Sequence, residues 1–146
     1  FPTKGRYMWR DVARQAAARG LVFHAPDPFP QNGLLAARVA TAALERSAQS
    51  GAAFCRAVYE AEFVHRRQIA EPAVLADCLY QAGAEHACLE AAAGDAVKRQ
   101  LRRTTEMAAD MGIFGAPSFV VGDELFWGDD RLDTALECAV AQVGGL

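Results

Sequence analysis

Twenty residues near the C-terminus, Gly112 to Arg131, constrain this chain more than any others. Gly112 ends a long helical pattern, because glycine readily takes the left-handed conformation that closes a helix. Pro117 then stands directly before Ser118 to Val121, an apolar, β-branched run in which a missing N–H is tolerable only at the first position. Gly122-Asp123 is a tight-turn pair, and Leu125 to Trp127 returns as the second strand of a hairpin. Asp130, with Asp133 three residues on, opens a last helix in the manner of a capping box. Leu132, Leu136, Ala139 and Val143 give that helix one apolar face.

This order of elements makes a rigid corner beside a helix start. The Ala116-Pro117 bond is either the ordinary trans form or cis. If cis, it turns the chain sharply and leaves the Ala116 N–H and C=O facing outward, a template for an extended peptide. A helix start attracts a carboxylate, while the Asp129 and Asp130 side chains accept from an ammonium. Asp130 is equally well explained as a plain acidic cap, which stabilises a helix by about 1 kcal/mol and binds nothing. A small anionic peptide that carries an amino acid at one end, such as glutathione, suits the corner.

The rest of the chain reads as helices. Lys4 to Arg19 forms the first, closed by Gly20, with a short extended piece at Leu21 to His24. His24 to Asn32 holds Pro26, Pro28 and Pro30 and is a loop. Gly33 to Ser47 follows, with Leu34, Leu35, Val39 and Ala42 on one face and Asn32 as its cap. Phe54, Ala57, Val58, Ala61 and Val64 recur at helical spacing in Ala52 to Arg67. Pro72 opens a helix that Gly83 ends, a short one covers Glu85 to Ala93, and a long one runs from Asp95 to Met111. In the long helix Val97, Leu101, Ala108 and Met111 form the inward set.

Composition narrows the function classes. The chain has 146 residues, 52% hydrophobic and 23% charged, enough apolar material for one domain with its own core. A net charge of −3 offers no basic surface for nucleic acid. No apolar run reaches the length of a membrane span. Cys55, Cys78, Cys88 and Cys138 form no Cys-x-x-Cys pair and show no metal-ligand spacing, so reduced thiols are expected. Cys78 and Cys88 fall on adjacent helices and can meet, though spacing does not establish a disulfide. His24, His65 and His86 are scattered and share no motif.

Three segments together carry a family resemblance. They are Gly112-Ile-Phe-Gly-Ala-Pro-Ser-Phe-Val-Val with Leu125-Phe-Trp-Gly-Asp-Asp-Arg-Leu-Asp, then Pro2-Thr-Lys-Gly-Arg-Tyr7 leading into Asp11, and Phe29-Pro-Gln-Asn32 ahead of a helix. The chain resembles the 2-hydroxychromene-2-carboxylate isomerases and their relatives, the kappa-class glutathione transferases, in the DsbA-like branch of the thioredoxin fold. The last block is closest to the isomerase side. Kappa transferases carry a longer hairpin and Gly-Ser-Asp-Arg where this chain has Gly128-Asp129-Asp130-Arg131, and thiol oxidoreductases of the branch share only the Gly-x-Pro corner.

The resemblance implies an α/β, mostly helical chain: a DsbA-type thioredoxin-like domain with an all-α insertion, a cis-proline hairpin and a final helix. Residues 1–32 and 94–146 are expected to form the thioredoxin-like part and 33–93 the insertion, which can roof the corner at Pro117. The strand-helix-strand that opens such domains has no counterpart here, and a two-stranded hairpin is not stable alone. A longer protein is therefore expected, with the catalytic Ser N-terminal to this chain. Glutathione is the implied cofactor, and Lys4, Ala116, Pro117, Trp127, Gly128, Asp129 and Asp130 its implied contacts. Trp9, Phe29 and Phe126 are candidates to line an aromatic substrate pocket, although aromatics at helical spacing more often belong to a core. The implied reaction interconverts 2-hydroxychromene-2-carboxylate and trans-o-hydroxybenzylidenepyruvate, in a cytoplasmic homodimer. A kappa-like transferase, a DsbA-like thiol oxidoreductase or a binding domain without turnover are the alternatives.

Overall fold

A computed structural model describes residues 2–144. Seven α-helices and one hairpin follow in the order α1 (Pro2–Ala18), α2 (Leu34–Arg46), α3 (Ala48–Phe63), α4 (Pro72–Gln81), α5 (Ala87–Ala91), α6 (Asp95–Asp110), β1 (Ser118–Val121), β2 (Glu124–Trp127) and α7 (Leu132–Gly144). The chain is mostly helical, with a single two-stranded antiparallel sheet among the described residues. Two compact units result, Phe1–Leu101 and Arg102–Leu146.

The first unit is built on helical periodicity. α2 turns Ala36, Val39, Ala42 and Ala43 inward, and α3 answers with Phe54, Ala57 and Ala61. Val74, Leu75, Cys78 and Leu79 of α4, Cys88 of α5 and Val97 of α6 complete one continuous core. The widest fully buried side chains are Phe54, Leu75 and Leu79. Burying apolar area at about 25 cal/mol per Å² is what holds such short helices, which are marginal alone.

Several expectations from the sequence needed correction. α3 begins at Ala48, four residues before the apolar repeat suggests, because the Ser47 hydroxyl accepts from the Ser50 N–H at 3.3 Å and caps the helix there. Leu21 to His24 is not a strand; its one ladder-like bond runs from the His24 N–H to the Phe63 C=O at 2.7 Å, with no second extended segment beside it. Asn32 does assist α2, accepting from the Leu34 N–H at 3.1 Å. The four cysteines are all free thiols, so Cys78 and Cys88 share a core without a bond.

Glu62 is the sole buried charged residue among the described ones, 7% exposed on the last turn of α3. Burial pushes its carboxyl above the ordinary value of 4.5. The protonated form is therefore favoured by folding. Its contribution to stability is complete below the unfolded-state pKa and is lost as pH rises through the higher folded-state value. Glu62→Leu is expected to gain little at pH 4 and about 1–3 kcal/mol at pH 7, the cost of an unpartnered buried polar group. Urea melts at both pH values check this, and a gain independent of pH would refute it.

The second unit is the hairpin and α7. Ser118 pairs with Trp127, Phe119 with Phe126, Val120 with Leu125 and Val121 with Glu124. Gly112, at φ +76, follows the end of α6 and Gly122, at φ +59, sits in the hairpin turn. The apolar face expected of α7 is there, but only Ala135 is buried, while Leu132, Leu136 and Val143 stand exposed. No helix among the described residues is long and apolar enough to cross a membrane.

Candidate functional site

The corner in the second unit is assembled from two chain segments that the hairpin brings side by side. Gly115-Ala116-Pro117 leads into β1, and Trp127-Gly128 leaves β2. The Gly128 N–H donates to the Pro117 C=O at 3.0 Å, extending the ladder one step past the strands. The Ser118 hydroxyl donates to the Gly115 C=O at 2.6 Å, which fixes the peptide on the other side. The Ala116–Pro117 bond is cis. Ala116 itself is exposed, and among the described residues no hydrogen bond engages its N–H or C=O. A pair of unpartnered backbone groups flanked by tethered neighbours is a ready strand-addition site.

Trp127 forms one wall. Its indole Nε1 would lie 2.6 Å from a Cβ placed on Gly115, so only glycine lets the ring sit this close to the backbone. Phe114 meets the same ring at 5.0 Å between centroids, and about half of the indole remains exposed. Gly128 forms the floor at φ +115, ψ 150, a conformation that requires glycine. The Asp130 carboxylate folds back over it; a Cβ there would fall 2.6 Å from Oδ1.

The helix start differs from the expected capping box. Asp129–Arg131 is a single 3-10 turn before α7, Gly128 stands at its cap position, and no side chain caps it. Asp130 therefore lies inside the turn, where its carboxylate meets Arg131 Nη1 at 3.3 Å. Both side chains are largely exposed, and such a pair contributes little to stability. That leaves the carboxylate able to accept from a ligand ammonium, close to the positive end of α7.

In the first unit, Lys4 is exposed on the opening turn of α1. Trp9 and Phe29 are brought together edge to face at 4.7 Å. They belong to a longer ladder: Trp9 stacks on Phe23 at 6.0 Å, Phe23 on Phe63 at 6.1 Å and Phe63 on Tyr59 at 6.2 Å. Phe126 is half-buried in β2, in the second unit. The sequence reading missed Phe23, Phe63 and Tyr59. Tyr59 and Phe63 were legible as an i, i+4 pair on one helix face. Among the described residues no group of three or more His, Cys, Asp and Glu is placed to hold a metal ion.

With a hairpin packed on its final helix behind a proline corner, and a helical unit before it, the architecture is that of a thioredoxin-like domain of DsbA type. The DsbA-like thioredoxin domain family matches residues 1–138, and the chain belongs to it. Within that family it is similar to a solved 2-hydroxychromene-2-carboxylate isomerase, at a TM-score of 0.74 and 25% identity over 97% of this chain and 68% of the other. A 34-residue stretch is 47% identical to the 2-hydroxychromene-2-carboxylate isomerase of Sphingobium xenophagum, covering 23% of this chain and 17% of that relative.

Proposed function

We propose that this chain forms the glutathione-holding and substrate-roofing part of an isomerase of the 2-hydroxychromene-2-carboxylate type. The observation that carries the reading is the Ala116 amide and carbonyl, exposed and unpartnered beside the Asp130 carboxylate. These groups match the donors and acceptors of a γ-glutamyl tripeptide. The cysteinyl amide and carbonyl would pair with Ala116 across Pro117. The γ-glutamyl ammonium would meet Asp130 and Asp129, and its carboxylate the start of α7, with Trp127 and Gly128 as wall and floor. Lys4 would hold a carboxylate. When bound, glutathione supplies a thiolate that adds reversibly to the conjugated side chain, so that a double bond becomes free to rotate. The protein's share is to orient both reactants and shield them from water, which can replace several kcal/mol of barrier by proximity. Trp9 and Phe29 offer flat apolar surface for the aromatic ring, on the helical part where residues 33–93 would serve as roof.

Calorimetric titration of reduced glutathione into the chain tests this. Saturable binding is expected, and Asp130→Ala is expected to weaken it about tenfold, the worth of a hydrogen bond to a charged group. Unchanged affinity in the variant, or no binding to the unaltered chain, would overturn the assignment.

A further inference from the structure

On one side of the α2–α3 pair lies a cavity of about 240 Å³ that the glutathione reading does not use. Small residues of α2, among them Ala36, Ala37 and Ala40, make one wall, and Phe54, Val58 and Tyr59 of α3 line it too. Two groups in this apolar lining can do chemistry, the Cys55 thiol and the Glu62 carboxyl. Glu62 is 7% exposed, and among the described residues it has neither a hydrogen bond nor an ion pair. A carboxyl so placed lacks a partner that the protein does not provide.

We propose that this cavity is a binding site for a small aromatic amine, its ring among the alanines and Phe54 and its ammonium on the Glu62 carboxylate. The size suits a single ring, since sites for drug-sized molecules begin near 300 Å³. The charge selects a cation, because an anionic ligand would meet a like charge in a low-dielectric setting. The Tyr59 ring at the lining adds a face on which an ammonium is favourable. The thiol offers no competing charge: burial raises the Cys55 pKa, which keeps it neutral.

The test is titration of benzylamine into the 146-residue chain at neutral pH, followed by calorimetry, with benzyl alcohol and benzoate as isosteric neutral and anionic probes. Saturable benzylamine binding is expected, with benzyl alcohol at least tenfold weaker and benzoate not bound. Glu62→Gln should weaken benzylamine at least tenfold and leave benzyl alcohol within about twofold. Ala40→Leu, which fills the cavity and leaves the carboxyl in place, should weaken both amine and alcohol, and it decides the matter if Glu62→Gln does not fold. Absent benzylamine binding, equal affinity for amine and alcohol, or unchanged affinity in the folded variants would overturn the proposal. Neither substitution touches the Ala116 corner, so glutathione titration of the same variants separates failure here from failure there.

Discussion

Phe54→Ala is expected to destabilise the helical unit by about 3–5 kcal/mol, the usual cost of deleting a fully buried ring together with the void it leaves. Phe54 has no exposed surface and sits where α2, α3 and α4 meet, so no neighbour can collapse into the space without moving a helix. Domains of this size have only about 5–15 kcal/mol in hand, and the variant should therefore be largely unfolded at modest urea concentrations. Far-UV circular dichroism against urea measures the effect. A loss under 1 kcal/mol would mean that the α2–α3–α4 junction is not the centre of the core.

Gly128→Val is the second large effect, and it acts on the corner. The native backbone at φ +115 disfavours any side chain, and the new Cβ would strike the Asp130 carboxylate at 2.6 Å. Strain of this kind costs on the order of 1–3 kcal/mol. Relief requires moving either Asp130 or the N–H that donates to Pro117, and both belong to the proposed glutathione cradle. Glutathione affinity should fall by more than tenfold. Asp123→Ala, at the exposed hairpin tip, should change neither stability nor affinity beyond about 0.5 kcal/mol. Equal affinities in Gly128→Val and the unaltered chain would remove Gly128 from the site.

The corner was legible in the residues because its parts are short-range. Pro117, Gly122-Asp123 and Gly128 each constrain the backbone within a few positions, so the hairpin and its register follow from spacing alone. The helices were legible from period, and their starts less so. Ser47 was read as the end of one helix when its hydroxyl begins the next, because an apolar repeat says nothing about the polar residue that precedes it. The capping box at Asp130 failed for a similar reason. Gly128 takes the cap position first and places the two aspartates inside a 3-10 turn. Glu62 could not have been found by periodicity, since a charge amid Ala57, Val58, Ala61 and Phe63 marks a helix face only once the neighbouring helix is known. The ladder from Trp9 to Tyr59 depends on Phe23, which a loop delivers from elsewhere in the chain, and no local rule foresees that.

The chain contains two tryptophans, and each compact unit holds one: Trp9 in Phe1–Leu101 and Trp127 in Arg102–Leu146. Their indoles sit in unlike surroundings, one stacked in a run of rings and the other half open over a glycine. Trp9→Phe and Trp127→Phe thus give two single-fluorophore proteins, in which emission reports separately on the helical unit and on the hairpin. Coincident transitions from the two would establish cooperative melting, and separated ones would assign a midpoint to each half without any added label.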